Sequence, residues 1–269
     1  RGVQTELCIA ALQNLTSKIS IWGISATIGN LKEAMSVLLG DFNKNEKRVL
    51  IKSNFKKKIT VQSIAPKEIK QMPWRGHLGT NLIRYLTPVI NKSQSTLIFT
   101  NTRSQCELWY QKILAEIPEL AGNMAMHHGS ISKEIRIWVE DSLRNNQLKV
   151  VVCTSSLDLG VDFHPVESII QIGGPKGVAR FIQRAGRSGH QPNKESKIYF
   201  LPTHAIELIE CSALNKAVQQ EYVEQRTPYI LCFDVLIQFL ISLAVSEGFY
   251  PNNVLNYIKK THAFSLITL

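Results

Sequence analysis

Between Thr96 and Leu201 the sequence alternates short β-type runs with segments of helical periodicity. The β-type runs are almost continuously apolar, as in Val150, Val151, Val152 and Cys153, which is typical of strands that are covered on both faces. This alternation predicts an α/β fold, a parallel sheet with helices on both faces. The predicted strands are Thr96 to Thr100, Val150 to Thr154, Ser168 to Ile172 and Lys197 to Leu201.

Capping residues and apolar spacing predict helices between these strands. Ser104 and Glu107 have the spacing of a capping box, and Trp109 follows on the buried side of that helix. A second helix is predicted to start at Ser132. Its predicted buried face is Ile135, Trp138, Val139 and Leu143. We read both tryptophans as core residues rather than as surfaces for base stacking.

Four further regions complete the prediction. A helix is expected from about Lys176 to Ala185, between Pro175 and Gly186. Upstream, Ile21 to Thr27 reads as a buried strand, and Leu31 to Leu39 as a helix that ends at Gly40. Residues 41–78 read as a charge-rich connector with one or two exposed strands. After Thr227 two helical segments are predicted, Phe233 to Val245 and Val254 to Lys260.

The charge of the chain favours a polyanionic partner. Lys and Arg exceed Asp and Glu by 31 to 21, a formal net charge of +10, which suits nucleic acid or a membrane surface. A basic surface without a partner is the alternative. No apolar stretch is long enough for a membrane span. The scattered cysteines form no CxxC pair, so buried thiols and a reducing, cytoplasmic compartment are expected.

Arginines are concentrated near Gly186. Arg180, Gln183, Arg184 and Arg187 are spaced by three and four residues and can share one helical face. A planar guanidinium matches the charge that spreads over a phosphoryl group during transfer. The alternative is a solvated basic face that is favoured by the helix dipole.

The segment from Thr154 to Asp162 follows a buried strand and combines hydroxyls, a glycine and two carboxylates. Hydroxyls and backbone amides at the carboxyl end of a strand are suited to phosphate oxygens. Alternatively, Thr154 and Ser155 only cap the next turn. Ser25 and Thr27 likewise place hydroxyl side chains at the end of an earlier predicted strand.

Taken in order, these segments resemble motifs of superfamily 2 helicases. The matching segments are Ser25 to Thr27, Leu97 to Arg103, His127 to Ser130, Thr154 to Asp162 and Gln183 to His190. They are similar to motifs III, IV, a His-Gly element, V and VI. Residues Trp22 to Asn30, Pro73 to His77 and Thr154 to Asp162 narrow the resemblance to the large helicase-related (Lhr) family, and within it to the ligase-associated DEXH-box branch.

The resemblance implies a RecA-like motor that hydrolyses ATP with Mg²⁺ between two domains and moves 3′ to 5′ along single-stranded DNA. Residues 1–40 would be the tail of the first RecA-like domain, 41–78 a connector, 79–225 the second RecA-like domain, and 226–269 the start of a winged-helix domain. A role in DNA repair, with a DNA ligase and a nuclease as partners, would follow from the branch.

The resemblance also implies roles for individual residues. Arg187 would be the arginine finger, with Arg184 and Gln183 beside it at the nucleotide. Asp162 would meet the ATP ribose, with Gly160 in the same nucleotide-binding turn. Five residues would face the nucleic-acid backbone: Thr154, Asn101, Arg103, His128 and Gly129. Ser25 and Thr27 would couple the two sites.

Two features depart from the family pattern. His190 stands where many superfamily 2 proteins have a second finger arginine. The sequence contains no GxxxxGK[ST] loop and no Asp-Glu-x-His box, so the phosphate cradle and the Mg²⁺ ligands are expected before Arg1. The chain alone is therefore expected to lack ATPase activity. Two alternatives stay open: an RNA helicase, or a nucleic-acid-binding module without ATPase activity.

Overall fold

The computed structural model describes residues 1–16, 18–42, 48–53, 58–66, 79–158, 166–189 and 195–268. The chain divides into two compact units. The larger unit spans residues 55–224, and the smaller unit combines residues 1–54 with 225–269.

The larger unit is built on a six-stranded sheet in which every pairing between neighbouring strands is parallel. Its strands are β1 (Ile59–Ser63), β2 (Thr96–Phe99), β3 (Met124–His127), β4 (Val150–Cys153), β5 (Ser168–Ile172) and β6 (Ser196–Leu201). Their order across the sheet is β1-β6-β5-β2-β4-β3. The predicted α/β fold is confirmed, and the four predicted strands are present within one residue of their predicted ends.

Helices cover both faces of this sheet. They are α3 (Ile83–Lys92), α4 (Arg103–Glu116), α5 (Lys133–Arg144), α6 (Val178–Ala185) and α7 (Glu207–Gln219). Successive residues of a strand point to opposite faces. Accordingly, Ile98 packs with Trp109 in one hydrophobic core, while Leu97 and Phe99 pack with Phe181 in a second core on the other face. The apolar strands are thus covered on both sides, as their composition predicts.

The N-cap of helix α4 lies two residues before the predicted one. The side chain of Thr102, not Ser104, accepts the capping hydrogen bond, which the Gln105 N–H donates over 3.2 Å. Thr102 is still in extended backbone conformation, as a cap residue requires, whereas Ser104 already lies inside the helix. The prediction that Trp109 lies in the core is confirmed, since its side chain is fully buried.

Helix α5 begins as predicted, because the Ser132 hydroxyl accepts a hydrogen bond from the Ile135 N–H. Its buried face differs from the prediction. Val139 and Leu143 are buried, but Trp138 is 55% exposed and Ile135 is 52% exposed. Trp138 is therefore not a core residue. The buried stripe of this helix runs through Val139, Ser142 and Leu143, which leaves the neighbouring Trp138 beside the stripe and in contact with solvent.

The smaller unit is helical in its described part. Its helices are α1 (Gly2–Leu15), α2 (Leu31–Leu39), α8 (Phe233–Val245) and α9 (Pro251–Ile258). Leu7 of α1 packs with Leu236 of α8, with Tyr257 of α9 and with Phe264, so residues from both ends of the chain share one core. The Glu6 carboxylate is buried and accepts a hydrogen bond from the Ala263 N–H over 2.9 Å. Burial raises the pKa of this carboxyl group.

The prediction of a buried strand from Ile21 to Thr27 is wrong. This segment forms no strand, and Trp22 and Ile24 are 85% and 91% exposed. A strand is held by hydrogen bonds to neighbouring strands. The described residues of the smaller unit contain no strand with which this segment could pair. The apolar run therefore forms no strand and leaves its large side chains exposed.

Within the predicted connector from residue 41 to 78, residues 59–63 form β1, in agreement with the prediction of one or two exposed strands. This strand pairs with β6 at the edge of the sheet and so belongs to the larger unit. None of the helices in the part of the chain that the structure describes is long and apolar enough to cross a bilayer.

Candidate functional site

The candidate residues of the larger unit lie beyond the carboxyl ends of its parallel strands. Parallel strands end at the same edge, and ligands of open α/β sheets bind outside these carboxyl ends. Asn101 and Arg103 follow β2, His128 and Gly129 follow β3, and Thr154 follows β4. The loop after β5 leads into α6, which carries Arg180, Gln183 and Arg184 and is followed by Arg187. The fold therefore gathers segments that are far apart in the sequence.

Arg184 is buried inside the domain. Only 1% of its side chain is exposed, and its Nε donates a hydrogen bond to the Asp158 carboxylate over 2.8 Å. Its Nη1 donates to the Gln171 side-chain oxygen over 2.5 Å, and its guanidinium lies 4.8 Å from the centre of the Phe99 ring. The alternative of a solvated basic face therefore fails for Arg184. The geometry makes Arg184 an internal support of α6 rather than a group that is presented at the surface.

Arg187 lies beyond the last turn of α6 and is half-buried. Its Nε and Nη2 donate hydrogen bonds of 3.1 and 3.0 Å to the backbone carbonyl oxygen of Asp158. Arg180 lies on the other side of the same residue, with its Nε 3.5 Å from the Asp158 carboxylate. Gln183 is half-buried on α6. Asp158 thus orients arginines from successive turns, a role that their spacing alone does not reveal.

Thr154 opens the turn that contains Asp158. The turn is a short 3-10 helix, Ser155–Leu157, whose first backbone amide groups are not capped by the Thr154 side chain. The alternative that Thr154 serves as a side-chain cap is therefore wrong. Leu157 is fully buried, which fixes the turn on the core, whereas Thr154 is only half-buried. A half-exposed hydroxyl at the carboxyl end of a buried strand is suited to a phosphate oxygen.

Arg103, His128 and Gly129 form a polar cluster with two neighbours. Arg103 donates a hydrogen bond of 3.0 Å to the Ser130 hydroxyl, and its Nε lies 3.9 Å from the Glu107 carboxylate. His128 is 4% exposed, and its Nδ1 accepts a hydrogen bond from the Ser130 N–H over 3.3 Å. Gly129 and Arg103 are exposed. In this geometry His128 supports the loop, and Arg103 and Gly129 are the members that a ligand can reach.

Asn101 holds the loop that precedes α6. Its Nδ2 donates a hydrogen bond of 2.7 Å to the carbonyl oxygen of Gly174. Glu207 binds the same loop from α7, because its carboxylate accepts a hydrogen bond of 2.8 Å from the Gly174 N–H. Gly173 has a φ of +68°, a conformation that side chains rarely adopt, and it allows the chain to turn sharply after β5. Asn101 therefore links the loop after β2 to the entrance of α6.

His127 takes part in a cluster that sequence reasoning missed. Its ring is 1% exposed, with Nδ1 2.7 Å from the Ser156 hydroxyl and Nε2 3.1 Å from Glu140. Burial lowers the pKa of His127 and outweighs the opposing effect of the Glu140 carboxylate; Arg136 and His128 lower the pKa further. The imidazole, which belongs to the last residue of β3, thus lies between Glu140 of α5 and Ser156 of the turn after β4. The adjacent His128 has a lowered pKa for the same principal reason.

These histidines predict how stability depends on pH. An unfolded histidine takes up a proton near pH 6.5, whereas the folded pKa lies lower, so the unfolded state binds more protons in this window. The free energy of unfolding of the larger unit should therefore be at its highest with respect to these histidines above about pH 6.5. It should fall as the pH drops below that value. Urea unfolding followed at several pH values measures this slope. His127→Gln should flatten the slope, and an unchanged slope in that variant would refute the assignment.

Some predicted site residues cannot be located. Gly160, Asp162 and His190, together with the segment Pro73 to His77, lie outside the described residues. Ser25 and Thr27 lie in the smaller unit, where Ser25 is exposed and Thr27 is half-buried. Among the residues that the structure describes, no group of three or more His, Cys, Asp or Glu side chains could hold a metal ion. Cys106, Cys153 and Cys211 are buried, as expected, and burial raises the pKa of the Cys106 thiol to about 12.

Comparison with known families gives two matches along the chain. Residues 79–191 match the helicase conserved C-terminal domain, and residues 216–269 match the winged-helix domain of large helicase-related proteins. The ATP-dependent helicase Lhr-Core of Methanothermobacter thermautotrophicus is 31% identical over 267 residues, which cover 98% of this chain and 31% of that protein. The chain thus spans about a third of the length of the curated relatives it matches.

Solved structures agree with these matches. The structure of Mycobacterium smegmatis helicase Lhr bound to ssDNA and AMP-PNP is similar with a TM-score of 0.89 and 25% identity, covering 99% of this chain and 35% of that one. A DUF1998 helicase, MrfA, bound to DNA has a TM-score of 0.68 at 20% identity, covering 96% of this chain and 36% of that chain. The second likeness concerns the fold alone. The larger unit is thus a RecA-like helicase C-terminal fold, and a winged-helix domain follows it.

Proposed function

Since the chain belongs to the large helicase-related family of superfamily 2 helicases, we propose that it is the carboxy-terminal motor part of an ATP-dependent 3′–5′ DNA helicase that acts in DNA repair. The observation that carries this proposal is the pairing of Arg187 with the turn that starts at Thr154. The turn from Thr154 to Asp158 thereby includes Thr154, the proposed nucleic-acid contact, and binds Arg187, the proposed nucleotide contact. A motor requires that these two sites communicate.

ATP is the proposed nucleotide, and the chemistry of the donors supports it. Arg187 follows the end of α6 and carries a half-buried, permanently charged guanidinium, which suits the oxygens of a phosphoryl group better than an ammonium would. Gln183 is half-buried on α6. Asp162 is proposed to contact the ATP ribose, and Gly160 is proposed to belong to the same nucleotide-binding turn. We propose that Mg²⁺ is held by residues of the complete protein outside this chain, in a first RecA-like domain.

Single-stranded DNA is the proposed track. The M. smegmatis Lhr relative is described as bound to ssDNA. In this chain, Arg103 and Thr154 present a cation and a hydroxyl at the same edge of the sheet, with Asn101, His128 and Gly129 around them. Ser25 and Thr27 are kept as the proposed coupling residues. A DNA ligase and a nuclease stay the proposed partners, as the ligase-associated branch would imply.

The proposed domain limits are those predicted from the sequence, with strand β1 added to the second RecA-like domain. Residues 79–225 are the proposed second RecA-like domain, extended by the edge strand β1, and 226–269 are the start of the winged-helix domain. Residues 1–40 are the proposed tail of the first RecA-like domain. In the structure, α1 of this tail shares a core with α8 and α9.

Two other functions are alternatives for this chain. A nucleic-acid-binding module without ATPase activity accounts for the net charge of +10 but gives no role to the arginines that Asp158 gathers. An RNA helicase uses the same ATPase parts, and no described residue identifies the sugar. Strand displacement by the complete protein tests both. We expect ATP-dependent unwinding of a duplex with a 3′ DNA tail, whereas activity only with an RNA tail, or none with ATP, would contradict the proposal.

The nucleic-acid contact of Arg103 can be tested separately. Phosphate contacts release counterions, so the logarithm of affinity falls with the logarithm of the salt concentration by about 0.7 per contact on single strands. We expect Arg103→Gln in the complete protein to weaken ssDNA binding and to reduce this slope by about 0.7. Fluorescence anisotropy at several salt concentrations measures it.

Arg144→Gln is the matched control for Arg103. Arg144 is also exposed and paired with a carboxylate, Asp141, but it lies at the end of α5 just before β4, at the opposite edge of the sheet. The control should bind ssDNA with an unchanged slope. Equal losses in both variants would mean that only the net charge matters, and Arg103 would lose its assigned contact.

A further inference from the structure

One turn connects the two proposed sites of the motor. Thr154 and Asp158 are the ends of the 3-10 helix that follows β4, and the Asp158 N–H donates a hydrogen bond of 3.1 Å to the Ser155 carbonyl oxygen. Leu157 between them is fully buried. A short, hydrogen-bonded turn that is fixed by a buried side chain has few ways to deform. A displacement at its first residue is therefore carried to its last residue.

Asp158 uses both its side chain and its backbone to hold arginines. Its carboxylate lies 2.8 Å from the Nε of Arg184 and 3.5 Å from the Nε of Arg180. Its backbone carbonyl oxygen accepts both hydrogen bonds from Arg187. The position of this carbonyl oxygen therefore sets the direction of the Arg187 guanidinium. The Asp158 side chain is 7% exposed, so water competes little for these contacts.

The carboxylate of Asp158 is anchored on a rigid support. Arg184 is fixed by the Gln171 side chain and by the Phe99 ring. Gln171 is itself buried, and its Nε2 donates hydrogen bonds of 3.0 Å to the carbonyl oxygens of Ile172 and Gly173 at the end of β5. The ion pair between Asp158 and Arg184 thus fastens the turn after β4 to the sheet and to α6. Without it, the carbonyl oxygen that holds Arg187 would lose its fixed place.

We propose that Asp158 is the positioning residue that orients Arg187 and transmits nucleic-acid contact at Thr154 to the nucleotide site. The inference rests on the proposed function and deepens it. The alignment of the proposed arginine finger then depends on a carboxylate that pairs with Arg180 and Arg184. Asp158 acts through the backbone turn and through Arg184 and not by contact with phosphate. Its removal should therefore affect the rate of hydrolysis and not the affinity for ATP or DNA.

The test is the steady-state ATPase activity of the complete protein with saturating ssDNA. Misplacing a catalytic group by about 1 Å can cost about 10²-fold in rate. We expect Asp158→Asn to lower kcat by ~10²-fold, with the KM for ATP and the Kd for ssDNA nearly unchanged. In an Arg187→Ala background the same substitution should add almost no further loss, because the group that Asp158 orients is then absent.

A second variant, Asp158→Glu, and melting temperatures of both variants separate an effect on kcat from a loss of folding. Asp158→Asn leaves the buried charge of Arg184 without its carboxylate, so its fold must be checked. Asp158→Glu retains the charge but shifts the turn by one methylene group. It should melt close to the unmodified protein and still lower kcat, with no added effect in the Arg187→Ala background.

Two results would overturn the inference: full kcat in folded Asp158→Glu and Asp158→Asn, or a loss of the same factor with and without Arg187. If the unmodified complete protein showed no hydrolysis stimulated by ssDNA, the proposed function would fail instead. The two failures are therefore distinguishable. Asp141→Asn is the control, since this exposed carboxylate pairs only with exposed Arg144 in the described contacts and should leave kcat unchanged.

Discussion

Arg187→Ala in the complete protein is expected to lower the rate of ATP hydrolysis by ~10³–10⁵ while ssDNA binding stays close to normal. The guanidinium acts on charge that develops in the transition state, and arginine fingers contribute on this scale in other phosphoryl-transfer enzymes. In the structure, Arg187 is half-buried and oriented by the Asp158 carbonyl oxygen, so alanine removes a fixed charge. Steady-state hydrolysis and anisotropy-based DNA binding measure the two effects.

Arg187→Lys and Thr154→Val are the comparisons for this prediction. Lysine keeps the charge but loses the planar two-point contact, so we expect only partial recovery of the rate. Thr154→Val keeps the shape of a half-buried residue and removes its hydroxyl, which should weaken DNA binding and DNA stimulation while ATP affinity stays closer to normal. If both Arg187→Ala and Thr154→Val weakened DNA binding equally and spared basal hydrolysis, Arg187 would not belong to the nucleotide site.

Arg184→Met should destabilise the larger unit by about 3–5 kcal/mol, because it removes the buried partner of the Asp158 carboxylate and leaves it only the longer contact of 3.5 Å with half-exposed Arg180. The side chains of Arg184 and Asp158 are 1% and 7% exposed, so solvent screens the pair little. The Gln171 side-chain oxygen would also lose its donor. Urea unfolding of the variant and of the unmodified protein measures the difference in unfolding free energy.

Arg144→Met is the matched control for Arg184. Arg144 pairs with Asp141 at 2.6 Å, but both side chains are about half exposed, and exposed pairs contribute only about 0–1 kcal/mol. Arg187→Ala should likewise leave most of the stability in place. A loss below about 1 kcal/mol for Arg184→Met would show that the buried pair contributes no more than a surface pair.

Much of the larger unit could be predicted from the sequence. A parallel strand that is buried on both faces needs an apolar residue at nearly every position, so Val150 to Cys153 and Ser168 to Ile172 are recognisable without a structure. Helix ends were predictable where a side chain or a glycine sets them, as at Ser132 and Gly186. These signals are local, and the structure confirms them.

The errors arose where tertiary contacts decide. Trp138 has helical spacing with Val139, but which side of α5 meets the sheet depends on the neighbouring elements. Ile21 to Thr27 has the composition of a strand, but a strand also needs a partner. Thr102 and Ser104 are both cap residues by type, and only the backbone conformation distinguishes them.

The site shows the same division. The ordered motifs identified the family, which the comparisons confirm. The ligase-associated branch and the roles of individual residues stay predictions. Helical spacing grouped Arg184 with Arg187, but it could not show that Asp158, 26 residues earlier in the chain, holds Arg184 inside the domain. The cluster of His127, Glu140 and Ser156 was missed for the same reason, since its members lie on separate elements.

We propose that this chain is part of an ATPase that nucleic acid stimulates. The most direct measurement is the initial rate of ATP hydrolysis by the complete protein with Mg²⁺, without and with single-stranded DNA. We predict a low rate that rises when DNA is added, and the loss of this rise in Arg187→Ala. The absence of hydrolysis in both conditions, or a rate that is indifferent both to nucleic acid and to Arg187→Ala, would contradict the account.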